Sequence, residues 1–161
     1  MKSTLQGQIG IDWRWVMIPS TWARNRRPLS DGIPVRVVAG LLRRDGQILM
    51  CHRHPNRASY PDVWDFPGGH IEAGESMASA LVRELDEELG IHVEAPDQPP
   101  WVTVRTDRIE LNLFLIDRWE GEPRNVATNE HDDTRWVKPD ELAQLDLAHP
   151  SYLQLMRRAL Q

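Results

Sequence analysis

Glu84, Glu87 and Glu88 are the residues whose type and spacing point most directly to chemistry. At ~100° per residue on a helix they fall within an arc of roughly 100°, and Leu81, Leu85 and Leu89 occupy the adjacent arc. Such a helix is anchored by one face and presents three carboxylates on the next. Carboxylates that close raise one another's pKa unless a cation sits among them. A hard divalent ion meets that need, because magnesium takes oxygen ligands and commonly links carboxylates to substrate phosphates. Taken alone, Glu-x-x-Glu-Glu is more often a solvated acidic helix face.

The residues ahead of the helix shift that balance. They run Gly68-Gly69-His70-Ile71-Glu72-Ala73-Gly74-Glu75, then seven residues, then Arg83-Glu84-Leu85-Asp86-Glu87-Glu88-Leu89-Gly90-Ile91. This stretch resembles the signature of the Nudix hydrolases, G-x5-E-x7-R-E-U-x-E-E-x-G-U with U aliphatic. Gly69, Glu75, Arg83, Glu84, Leu85, Glu87, Glu88, Gly90 and Ile91 meet it at all nine defined positions across 23 residues. The resemblance implies a hydrolase of phosphoanhydride bonds with an α/β (α+β) fold, a mixed β-sheet sandwiched between α-helices. It also implies a loop-helix-loop that binds magnesium, with manganese as the alternative. In that pattern Gly68 offers its carbonyl to the metal, and Glu84, Glu87 and Glu88 supply carboxylates. Arg83 and Glu75 brace the loop as an ion pair, and Gly69 and Gly90 are structural. One carboxylate accepts the proton of the attacking water, while the metal lowers that water's pKa and offsets phosphate charge.

The resemblance continues past the box, most closely to the MutT-like nucleoside triphosphate branch. Arg108-Ile109 through Arg118-Trp119-Glu120-Gly121-Glu122-Pro123 looks like that branch's central strand and following turn. Glu130, six residues before Trp136, takes the place of an additional carboxylate that binds metal or acts as base. Arg53 matches a substrate-contacting arginine after a one-residue shift. His149, in Ala148-His149-Pro150, falls where the branch carries an asparagine that reads the purine edge. Imidazole and amide hydrogen-bond differently, so the branch's base preference does not carry over with the alignment.

These residues need elements to hold them. Ser76 to Leu89 reads as the carboxylate helix, with Ser76 as N-cap and Gly90 as the stop. Val35, Val37, Val38, Leu41 and Leu42, then Asp45-Gly46, then Ile48, Leu49 and Met50 read as a hairpin. Arg53 to Pro67, with Pro55, Pro61 and Pro67, reads as an ordered loop delivering Gly68-Gly69. Trp101 to Val104 and Ile109 to Trp119, joined around Asp107, read as strands, and Thr134 to Val137 as another. Pro139-Asp140-Glu141 opens a short helix, and Ser151 to Leu160 closes the chain with a helix. Residues 33–161 therefore form the hydrolase domain. Residues 1–32 are an N-terminal extension, with a candidate strand at Ile9 to Met17 packed on the domain and a basic cluster at Arg24, Arg26 and Arg27.

Totals narrow the partners. The 161 residues suit one domain. A formal charge of -5 repels polyanions, so long nucleic acid is not expected, and a small-molecule nucleotide is admitted once a cation reverses the local sign. A lone cysteine, Cys51, excludes an intrachain disulfide and suits a reducing cytoplasm. No run approaches ~20 apolar residues, so no membrane partner is expected. The sequence leaves monomer and dimer equally open. Cys51, His52 and His54 supply no fourth zinc ligand. The competing readings are an ADP-ribose or nucleotide-sugar pyrophosphatase, which shares the same catalytic residues, and a non-catalytic ligand sensor of the same fold. A sensor has no chemical need for a complete set of carboxylates.

Overall fold

The computed structural model describes residues 34–106 and 108–161. The candidate strand at Ile9 to Met17, the arginine cluster and Asp107 lie outside the described residues.

The hairpin forms as its sequence dictates. Strands β1 (Val35–Arg44) and β2 (Gln47–Arg53) meet at Asp45-Gly46, whose φ angles of 52° and 72° give the two left-handed positions that a tight hairpin turn needs. β1 is apolar on both sides because it is central: it pairs in parallel with β6 (Ile109–Ile116) from Val35↔Ile109 to Leu42↔Ile116. Its other edge is shared. Residues Val37 to Ala39 pair antiparallel with β4 (Gly68–His70), and Arg43 and Arg44 pair with β2. β5 (Val102–Arg105) flanks β6, and β2 carries both β3 (Trp64–Asp65) and β7 (His131–Val137). The result is a mixed seven-stranded sheet.

Strand alternation sends apolar side chains to two cores. Val38, Leu42, Leu49, Cys51, Phe114 and Ile116 meet Ala80, Leu81, Leu85 and Leu89 of α1 (Met77–Leu89) on one face. Ala39, Leu41, Ile48, Met50 and Leu113 meet Tyr152, Leu155, Met156 and Ala159 of α2 (Tyr152–Ala159) on the other. The sheet is thus sandwiched between helices, as the family resemblance implies. Burying a leucine such as Leu85, which is fully enclosed, contributes about 1.5–3 kcal/mol, so the leucine face beside the carboxylates fixes how α1 lies.

Several boundaries differ from the sequence expectation for identifiable reasons. Gly68-Gly69 reads as loop because glycine has little strand propensity, yet β1 supplies pairing partners and makes it a strand. β7 starts at His131 rather than Thr134, because β2 pairs along its whole length with a register shift between His52 and Arg53. Pro139 opens a single 3-10 turn at Leu142–Gln144. β6 ends at Ile116, and Trp119 lies beyond it, stacked on Trp136 with centroids 6.0 Å apart.

Candidate active site

Where β2 and β4 part along one edge of β1, the chain between them loops out and returns at Pro67, whose carbonyl accepts from Gly40 N. Gly68 then takes φ 148°, and a Cβ there would lie 2.1 Å from the Val38 carbonyl oxygen. A side chain cannot be accommodated without moving β1. At Gly69 a Cβ would fall 2.5 Å from the Glu84 carboxyl carbon. The first glycine lets β4 close on β1, and the second leaves room for a carboxylate.

The helix is held at both ends. Ser76 Oγ accepts from Ser79 N at 3.0 Å, and Gly90 ends the helix in the left-handed conformation at φ 64°. From within the helix, Arg83 reaches back across the loop before it. Its Nε and Nη2 donate to the two oxygens of Glu75 at 3.0 and 2.9 Å, and Nη2 also donates to the His70 carbonyl at 3.0 Å. This fork ties helix, loop and β4 together. Arg83 holds the Glu75 carboxyl below the ordinary range, first by hydrogen bonding.

Glu84 and Glu88 line the inner side of this arrangement. Glu84 accepts from Arg83 Nη1 at 2.8 Å. Burial raises its pKa, opposed by Arg83 and reinforced by Glu87 and Glu130. Glu88 is only 3% exposed. Its Oε2 accepts from Gly68 N at 2.8 Å, and its Oε1 lies 3.8 Å from His131 Nε2. Burial pushes the Glu88 pKa well up, the Gly68 amide pulls against it, and Glu84, Glu130 and Asp65 push it further. Glu87 points outward, more than half exposed, 3.3 Å from Arg83 Nη1. Glu130 approaches from the segment before β7, where its carboxylate meets Arg57 Nη1 at 2.9 Å. The polar run Glu130-His131-Asp132-Asp133 therefore begins at the carboxylate cluster.

Two other candidates are engaged elsewhere. Arg53 donates from Nε to the Tyr60 carbonyl at 2.9 Å and from Nη2 to the Ser59 carbonyl at 2.8 Å, with Nη1 3.8 Å from Asp65. It fastens the loop after β2. His149 sits half-buried before α2, its Nδ1 2.6 Å from Ser151 Oγ and 3.2 Å from Ser151 N, and burial lowers its pKa.

Sequence reasoning missed His131 and Arg57. His131 is 2% exposed beside Glu88, its pKa lowered to about 4 by burial first and then by the charges of Arg53 and Arg57. Strand alternation from Thr134 back to His131 would have signalled its inward direction, had the strand been extended that far. Arg57 lies in a proline-bounded loop with no local signal.

The donor set is all oxygen and strongly anionic, which fits a divalent cation. Among the described residues, no three His, Cys, Asp or Glu side chains converge as a ready cage. Guanidinium groups engage them instead: Arg83 holds Glu84 and Glu87, and Arg57 holds Glu130. Glu84 and Glu130 both push the Glu88 pKa up, and Glu130 also raises that of Glu84, so the acids feel one another's charge.

Acids with pKa values raised by burial and by one another are candidates for a reactive site, and comparison with known proteins gives the class, a hydrolase. Residues 33–159 match the family model described as NUDIX domain, and the chain belongs to the Nudix family. It is 37% identical over 123 residues to the nucleoside triphosphatase NudI of Salmonella typhimurium, an alignment covering 69% of this chain and 86% of that protein. Among solved structures it is similar to the MutT Nudix hydrolase from Burkholderia pseudomallei, with a TM-score of 0.62 and 30% identity over 80% of this chain and 96% of that one. The E. coli ORF135 protein matches with a TM-score of 0.60 and 31% identity, over 81% of this chain and 91% of the other. Hydrolases of this family generally use a divalent metal, and no helix among the described residues is long and apolar enough to cross a membrane.

Proposed function

We propose that this chain hydrolyses a nucleoside triphosphate, one with an oxidised or otherwise noncanonical base included, to nucleoside monophosphate and pyrophosphate with magnesium or manganese. The observation that carries the reading is the packing of Glu88 against Gly68, with Glu84 and Glu130 close by and no full neutralising partner for the four acids. The name of one relative, a nucleoside triphosphatase, supports a triphosphate substrate.

When bound, the cation lowers the pKa of water and offsets charge on the phosphates. Glu84, Glu87, Glu88, Glu130 and the Gly68 carbonyl would hold it. The chain's own tasks follow from the geometry. Arg83 and Glu75 fix the loop so that Gly68 and the helix keep their spacing. One of the carboxylates accepts a proton from the attacking water as its oxygen bonds to phosphorus. The bridging P–O bond between the α and β phosphates then breaks and its electron pair leaves with the departing phosphate oxygen. Glu88 is nearly enclosed and held by Gly68, which suits a fixed metal ligand; the more open Glu130 can reach water. His149 would border the base, and Arg53 would act through the loop it fastens. Residues 1–32 are read as an extension to this domain, and the buried thiol of Cys51 suits a cytoplasmic setting.

The test is a panel of nucleoside triphosphates, ADP-ribose and nucleotide sugars with product identification. Pyrophosphate release from triphosphates supports the proposal. Monophosphate products from ADP-ribose or a nucleotide sugar alone would move the assignment to that class, and binding without turnover would make the chain a sensor.

A further inference from the structure

The cations close to the carboxylates differ in how much of their hydrogen bonding is committed. Arg83 is spent on Glu75, the His70 carbonyl, Glu84 and Glu87. Arg53 is spent on the Ser59 and Tyr60 carbonyls and faces Asp65. Arg57 is different. Among the described residues its guanidinium has one partner, Glu130 at 2.9 Å, and both side chains are about one-third exposed, at 32% and 38%. A guanidinium has five N–H donors, so most of its capacity faces outward.

Its position is also fixed by the backbone. His54 N donates to the Glu130 carbonyl at 2.8 Å, and Arg57 N donates to the His54 carbonyl at 3.0 Å, so backbone hydrogen bonds tie the loop turn to the Glu130 segment. Asp62 N closes the loop on the Arg53 carbonyl at 3.1 Å, and Tyr60 and Asp62 adopt left-handed φ angles of 49° and 59°. Arg57 is thus presented at the rim of the acid cluster by a loop tied at its base.

We propose that Arg57 is a polyphosphate-binding residue, its guanidinium passing from the Glu130 carboxylate to phosphate oxygens when cation and substrate enter. The inference rests on the reading above that the site takes a triphosphate. The exchange conserves the charge pairing of Arg57, since an anionic phosphate replaces an anionic carboxylate and matches the same planar fork. It also releases Glu130 to serve the cation or the water.

A double-mutant cycle tests this with inorganic tripolyphosphate and magnesium as the probe, binding being measured by calorimetry on the full chain. Arg57→Ala and Arg57→Lys are made in the wild type and in Glu130→Gln, with thermal unfolding to verify folding. Charged hydrogen bonds to phosphate imply that Arg57→Ala weakens tripolyphosphate binding roughly 10- to 100-fold in both backgrounds, and that Arg57→Lys recovers part of the loss. If Arg57 only restrains Glu130, Arg57→Ala will leave affinity unchanged in the Glu130→Gln background, and the inference fails. Failure of wild type to bind tripolyphosphate also overturns it. The triphosphate reading is judged separately by pyrophosphate release from nucleotides, so an inactive enzyme that still needs Arg57 to hold tripolyphosphate would sink that reading and leave this one standing.

Discussion

Replacing Glu88 by glutamine should stabilise the metal-free protein while removing its activity. Glu88 is 3% exposed, its principal partner is the Gly68 amide, and its pKa is raised by burial first and then by Glu84, Glu130 and Asp65. Between the ordinary carboxyl value of 4.5 and the raised folded value, the native state binds a proton that the unfolded chain releases. Stability therefore falls as pH rises through that window, by about 1.4 kcal/mol per pH unit for one group, and the penalty is complete above the folded pKa. The glutamine carbonyl can still accept from Gly68 N and carries no charge. Wild type and Glu88→Gln should accordingly be similar near pH 4.5, and the variant should gain about 3–6 °C in melting temperature per pH unit above it for a domain of this size. His131 acts in the opposite sense, since a folded pKa of about 4 against an ordinary 6.5 removes stability as pH falls from 6.5 to 4. Because its Nε2 lies 3.8 Å from Glu88, its contribution cancels between the two proteins only above pH 6.5, where the imidazole is neutral in both, and the comparison is read there. The assay is thermal unfolding of both proteins from pH 4.5 to 8 in a chelator, then in magnesium. Magnesium should raise the wild-type melting temperature at pH 8 and leave the variant nearly unmoved. A variant no more stable than wild type in chelator at pH 8 would refute the view of Glu88 as an uncompensated buried acid.

Other substitutions separate the remaining roles. Glu130→Gln should lower kcat by at least ~10-fold with a smaller change in KM, because a carboxylate serving metal or water acts chiefly in the transition state; steady-state kinetics at saturating substrate checks this. Gly68→Ala should unfold the β4 edge and lower the melting temperature markedly, since its Cβ would meet the Val38 carbonyl oxygen at 2.1 Å. Gly69→Ala should lower the melting temperature less than Gly68→Ala does and reduce turnover, since its Cβ meets only the Glu84 side chain and not the backbone; unfolding and rate measured on the same samples distinguish the pair. His149→Ala should change the kcat/KM ratio between a purine and a pyrimidine nucleotide if its ring reads the base, a lost hydrogen bond being worth about 0.5–1.5 kcal/mol. An unchanged ratio leaves His149 as the partner of Ser151 seen in the structure.

The carboxylate helix was legible because every local signal agreed: the Ser76 cap, the Leu81, Leu85 and Leu89 stripe and the Gly90 stop all point to one element. The hairpin was legible for the same reason, since Asp45-Gly46 allows little else between two apolar runs. β4 was not, because its strand character comes from β1 and not from Gly68-Gly69 themselves. The start of β7 was hidden likewise, in a run of His and Asp whose inward member, His131, is revealed only by pairing with β2. Arginines show the limit most clearly. The resemblance singles out Arg53 and passes over Arg57, yet the fold shows Arg53 consumed by the Ser59 and Tyr60 carbonyls while Arg57 faces Glu130. A side chain's partners depend on chain segments far apart in sequence, and spacing within a loop carries none of that information.

The most direct measurement of the central claim is turnover of a nucleoside triphosphate panel by wild type and Glu88→Gln, with and without magnesium, the products being resolved chromatographically. Nucleoside monophosphate and pyrophosphate should form in equal amounts, strictly dependent on the cation and reduced at least ~10²-fold in Glu88→Gln. Nucleoside diphosphate and orthophosphate as products, or a folded Glu88→Gln that turns over at the wild-type rate, would contradict it.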